Sequence, residues 1–225
     1  MLPAERRVTE TMLAARPREY SAEVTIISLL LMSGVTLLCL KEGPQLCNRL
    51  VMIPEAVRVD GEYWRLWTGM AVHADLPHFA FNALFFGFFV YLIYGYFGFW
   101  AYPFWTLLLG GLTGYLSLLT YPPGTHLLGA SGLVYLMAGF WLTMYVFVER
   151  RHSVKRRLLH AVGVALVVFV PTSLQQGISY RTHAIGFGLG LVLAIAYFLA
   201  NKKRIRSAET VESEPEPDSL FDEPE

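Results

Sequence analysis

The sequence predicts an all-α polytopic membrane protein of six transmembrane helices with a long, partly immersed first outer loop. Three observations lead there. The chain of 225 residues is 54% apolar and only 16% charged, a charge content low for a water-exposed domain. The charges are segregated, with no Asp, Glu, Lys or Arg between 76 and 148 and none between 158 and 180. The apolar runs approach the ~20 residues that a bilayer core demands.

Residues 1–23 are polar, carry Arg6, Arg7, Arg16 and Arg18 among four glutamates, and are interrupted by Pro3 and Pro17. They read as a short interfacial or mobile arm. The first span is 24–40. A long connection follows at 41–77, with Trp64-Arg65-Leu66-Trp67 and scattered charges. Its Trp, Tyr, Leu and Met content suits the membrane interface, and long irregular loops in compact proteins are often functional. The next spans are 78–97, 100–121, 129–148, 158–174 and 178–200. The membrane domain is therefore 24–200, and 201–225 is a basic then acidic tail. From 207 the tail is rich in Glu, Asp and Pro, has little to bury and is expected to be disordered.

The net charge is zero and gives no reason to expect a nucleic-acid partner. Cys39 and Cys47 form neither a metal-ligand pattern nor a disulfide framework and read as ordinary thiols. No signal peptide is evident, since the first apolar run serves equally as an anchor.

Six spans put both termini on one side. Thirteen Lys and Arg fall in the N-terminal arm, the loop at 149–157 and the segment after the last span, against five in the opposite segments. Positive charge marks the cytoplasmic side, so both termini are assigned to the cytoplasm of what is expected to be a bacterial inner membrane. Spans two, four and six then start at the outer surface. His78, Asn82, Ser131 and His183 all lie within roughly 10 Å of those starts at the helical rise per residue. Four polar groups on three helices thus reach a similar depth.

Polar groups inside a membrane are costly and tend to mark function. A serine hydroxyl is a weak nucleophile that needs an adjacent base, and imidazole serves near neutral pH. Ser131 sits in Gly129-Ala130-Ser131-Gly132 and is expected to be the nucleophile, with His183 as its base. No carboxylate lies in spans two to six, so a dyad is expected. Gly186 and Gly190 share a helical face with His183, and small residues at that spacing let helices approach closely; a packing role for His183 is the alternative. His126, in the loop before the fourth span, is a second candidate base without a rigid helix to orient it. His152 and His160 fall at the inner side. Tyr135 is one turn past Ser131 and serves either to pack on His183 or as a core tyrosine. His78 and Asn82, four apart, suit an oxyanion site with the Ser131 amide at a helix start, or serve as interhelical glue.

Trp64-Arg65, His73, His78-Phe79-Ala80-Phe81-Asn82, Gly129-Ala130-Ser131-Gly132 and His183-Ala184-Ile185-Gly186 through Gly190, in that order, resemble the rhomboid family of intramembrane serine proteases. The resemblance runs from about 61 to 193, and the six-span layout resembles the family's minimal bacterial form. It implies Ser131 as nucleophile, His183 as general base, and His78, Asn82 and the Ser131 amide as the oxyanion site. It implies cleavage of membrane-spanning substrate proteins near the outer interface, and no metal or organic cofactor. One departure is the absence of a glutamate between 94 and 100, where rhomboids often carry one.

Two other classes fit the sequence less well. A rhomboid-like protein that binds client transmembrane segments without cutting them would favour loss of Ser131 or His183, and neither is lost. A transporter would favour an intramembrane acidic residue and repeated spans, and the sequence has neither.

Overall fold

In a computed structural model, which describes residues 6–169 and 179–213, the chain is a helical bundle with a two-stranded clasp at its termini. In order it comprises β1 (Arg6–Glu10), α1 (Ser21–Glu42), α2 (Pro44–Leu50), α3 (Pro54–Arg58), α4 (Arg65–Ala71) and α5 (Leu76–Phe97). A kinked segment, Trp100–Trp105, then leads into α6 (Thr106–Leu118). The chain continues through α7 (Ser131–Val148), α8 (Val154–Phe169), α9 (Tyr180–Ser207) and β2 (Thr210–Ser213). Among the described residues four helices, α1, α5, α7 and α9, are long and apolar enough to cross a membrane. The predicted third span divides at Tyr102, whose backbone is extended within the kinked segment. Of the predicted fifth span, 170–174 lies outside the described residues, as does the start of the sixth at 178.

α7 is the hub. Every residue from 132 to 140 is buried, and α5, α6, α8 and α9 pack around it. The tightest of these contacts is with α9. A Cβ at Gly139 would lie 2.5 Å from Phe187 O, and one at Gly132 would lie 2.7 Å from Thr182 Cγ2. From the facing helix, a Cβ at Gly186 or Gly190 would collide with the carbonyl oxygens of Gly132 and Leu136. Glycine faces glycine at Gly132 and Gly186, and Gly139 and Gly190 each meet the backbone of the other helix further along. This is how helices associate where lipid removes the hydrophobic drive between them.

The connection between α1 and α5 is not irregular throughout. Pro44 and Pro54 open α2 and α3, the position where a missing N–H costs nothing. α5 starts where the Asp75 carboxylate accepts the His78 N–H at 2.7 Å, with Pro77 in the first turn, an N-cap of ordinary kind.

Two terminal expectations need correction. The N-terminal arm is not wholly mobile, because β1 pairs antiparallel with β2. The tail expectation is corrected for 207–213 alone, where α9 runs through Ser207 and β2 follows; 214–225 lies outside the described residues. Glu209 fixes this end, with Arg150 at 3.0 Å and Arg206 at 2.5 Å on its two oxygens. A nearly buried carboxylate shared by two guanidiniums is what holds so short a strand in place.

The glycine contact yields a paired prediction. Gly190→Val should destabilise the protein by about 1–3 kcal/mol or more through overpacking. Gly188, two residues away with open space around it, should gain up to about 1 kcal/mol as Gly188→Ala from helix propensity. Thermal unfolding in detergent distinguishes them; equal effects would mean that α7 and α9 do not touch at glycine.

Candidate active site

Ser131 is the first residue of α7 and is half-buried. The first N–H groups of a helix have no partner within it and attract negative charge. The chain reaches this position through Gly129, whose φ is +100°, a region that disfavours any side chain. A Cβ there would also lie 2.9 Å from His78 Cε1. The imidazole of His78 thus rests on the backbone two residues before the serine.

The turn before Ser131 is sewn to the first loop. Met52 and Leu127 exchange both backbone hydrogen bonds at 2.9 Å, and the Gly129 N–H donates to Gly69 O at 2.9 Å. The Ala130 N–H donates to His73 Nε2 at 3.2 Å. The other ring nitrogen of His73 lies 3.0 Å from Thr36 Oγ1, whose hydroxyl donates to Ala71 O at 2.7 Å. With the Thr36 proton committed to a carbonyl, His73 must donate from Nδ1 and accept at Nε2. The neutral ring is thereby held in one tautomer, linking α1, the first loop and the turn before Ser131. Burial pushes His73 down from 6.5 to about 4. No local pattern marks this role, because the partners stand 37 and 57 positions away.

Arg65 is a second anchor. Its guanidinium is buried, pairs with Glu62, and donates to Asn48 O at 2.6 Å and Val51 O at 3.0 Å. Its neighbour Trp64 is exposed, while the exposed Trp67 donates from its indole to Leu107 O at 3.0 Å.

His183 is buried in the first turn of α9, rather than in the second turn expected from a start at 178. Its ring stacks on Tyr135, with centroids 3.9 Å apart and planes at 14°. Phe169 of α8 stacks on the other face of the arrangement, 4.4 Å from Tyr135. Tyr135 is one helical turn below Ser131 on the same face of α7, so the imidazole lies beside the serine's own helix face. No hydrogen bond joins Ser131 to His183 in this structure. Asn82 is buried on α5, and its amide donates back to His78 O at 2.9 Å. Gly132, Gly186 and Gly190 are the contact points described above.

The other histidines lie elsewhere. His160 is paired with Tyr145 at 3.0 Å, and Tyr145 is ~21 Å down α7 from Ser131 at the helical rise. His126 is exposed and lines a small cavity with Cys39 and Cys47. Both cysteines are free thiols.

The rhomboid domain family model matches residues 60–200. The chain belongs to the rhomboid family, an integral membrane family of intramembrane serine proteases that also includes pseudoproteases of the same architecture. No curated protein matches the chain.

His73 carries a pH prediction. The unfolded chain takes up this proton near 6.5 and the folded one near 4. Between those values the unfolded state binds more protons, so stability is lost as pH falls through that window. The full loss from this group is on the order of 3 kcal/mol. Unfolding of wild type and His73→Gln from pH 7 to 4 should show a shallower decline for the variant; parallel curves would remove His73 as the responsible group.

Proposed function

We propose that the protein is an active intramembrane serine endopeptidase that cleaves membrane-spanning substrate proteins near the outer interface, with Ser131 and His183 as a dyad. The observation that carries the reading is the stack of His183 on Tyr135, one turn from Ser131 on the same helix face. The proposed topology has six spans, with both termini in the cytoplasm of a bacterial inner membrane. The kinked segment with α6 and the helix containing α8 complete the four long apolar helices. In that topology the first loop is partly immersed on the outer side, and the clasp of β1 on β2 is cytoplasmic.

A substrate helix approaches beside α5 and α8, and its end unwinds into the site. Ser131 Oγ attacks the scissile carbonyl carbon while His183 takes the hydroxyl proton. The oxyanion meets the Ser131 N–H at the start of α7, where the helix dipole favours it. Asn82 and His78 donate from α5, Asn82 with the amide hydrogen left free by its bond to His78 O. The C–N bond breaks as His183 returns the proton to the leaving amine, and an acyl-enzyme forms. Water from the outer side, activated by the same imidazole, hydrolyses it.

The absence of a resting Ser131–His183 bond is compatible with this chemistry, since such bonds are often long before substrate binds. Tyr135 acts by holding the ring. Retention of both Ser131 and His183 favours catalysis over the reading as a client-binding pseudoprotease.

Labelling of membranes with a serine-reactive fluorophosphonate tests the proposal. Wild type should be labelled, and Ser131→Ala and His183→Ala should lose both labelling and cleavage while remaining folded. Labelling that survives Ser131→Ala would refute it. Asn82→Ala should slow turnover by about 10²-fold, the effect of losing one oxyanion donor, and less than either dyad change. Tyr135→Phe should keep more activity than Tyr135→Ala, because the stack needs only the ring.

A further inference from the structure

A groove of about 700 Å³ lies between α1, the first loop and the kinked segment, and its far side reaches Ala130 and Leu133, on either side of Ser131. Val24, Ile27, Leu31 and Val35 form one wall, Trp67 and Met70 part of another, and Phe99 and Tyr102 close its end near the start of α1. Most of its polar groups are already bonded within the protein. Tyr102 OH donates to Ser28 Oγ at 2.7 Å, Ser28 donates to Val24 O at 2.7 Å, and Thr68 donates to Leu50 O at 2.7 Å. A groove so lined offers water few partners and suits apolar guests. The volume falls in the range of specific ligand sites, roughly 300–1,000 Å³.

The shape decides between guests. From Val24 to Val35 the wall rises ~16 Å. Spread over that length, the volume gives a section of roughly 40 Å², about half that of a helix ~10 Å across. The groove is open along α1, where Ile27 and Leu31 are exposed, and a section this narrow matches hydrocarbon chains better than a whole helix. At the end near the start of α1, the Arg18 guanidinium lies against Gly98, next to Phe99. Arg18 is exposed and has no ion-pair partner among the described residues. Glu19 and Glu23 follow within five residues and likewise do not pair with it. Mixed charge at the mouth of an apolar groove matches a headgroup bearing a phosphate and an ammonium.

We infer that the groove is a binding site for a zwitterionic glycerophospholipid, with an acyl chain between α1 and the first loop and its phosphate on Arg18. An ordered chain there would brace α1 against α4 and the loop that His73 ties to the turn before Ser131. The inference rests on membrane residence and is independent of catalysis, so either can fail alone.

The test uses the full chain in vesicles containing phosphatidylethanolamine with a photoactivatable diazirine near the middle of one acyl chain, with adducts mapped by peptide mass spectrometry. Met32 and Met70 line the groove and are only 5% and 7% exposed, so loosely surrounding lipid does not reach them. Adducts on both are expected, with a several-fold loss on filling the groove by Ala71→Phe while adducts on the outward Leu30 persist. Adducts confined to outward residues in wild type would overturn the site. Diacylglycerol bearing the same chain should label Met32 and Met70 several-fold less, and Arg18→Ala should close that difference. Equal labelling of wild type by the two lipids would overturn the assignment of the phosphate to Arg18.

Discussion

The structure depends on one contact, the approach of α7 and α9 to backbone distance. Two polar side chains on neighbouring membrane helices meet only if the helices are unusually close, and bulky residues at the seam would hold them apart. Gly132 and Gly139 on one helix and Gly186 and Gly190 on the other remove that obstacle. The contact also puts the ring of His183 onto Tyr135, so the same geometry that joins the helices orients the imidazole.

The rest of the fold supports the start of α7. Irregular backbone near membrane depth is tolerated where its polar groups have partners. The turn from 127 to 130 satisfies this through Met52, Gly69 and His73. Arg65 performs the same service for the loop itself, turning a charge that looks exposed in sequence into a buried donor for two carbonyls. The turn leading into Ser131 is thus held from one side by glycine packing and from the other by hydrogen bonds to the first loop. At the opposite end, Glu209 and the paired strands tie both termini to the loop after α7.

Much of this was legible in the sequence where the signal is local or periodic. The long apolar helices follow from composition, the seam from Gly186 and Gly190 on the His183 face, and the Tyr135 stack was one of two readings of its spacing from Ser131. The family follows from motifs kept in order, and the matched region agrees with it. What escaped was long-range or short. His73 stands in the family motif, but its role shows only when the fold brings Thr36 and Ala130 to its two nitrogens. α2 and α3 are too brief to display a helical period, although Pro44 and Pro54 marked their starts. The terminal strands lack apolar alternation, and their charge-rich residues read as solvated chain until Arg150 and Arg206 are seen around Glu209.

A structure of the protein in lipid after reaction with a fluorophosphonate tests the central claim most directly. The account predicts phosphorus bonded to Ser131 Oγ, a His183 ring nitrogen within hydrogen-bond reach of the bonded oxygen at ~2.6–3.2 Å, and glycine-to-carbonyl contact preserved between α7 and α9. An adduct on another residue, or an imidazole turned away from a phosphonylated Ser131 with the two helices apart, would contradict it.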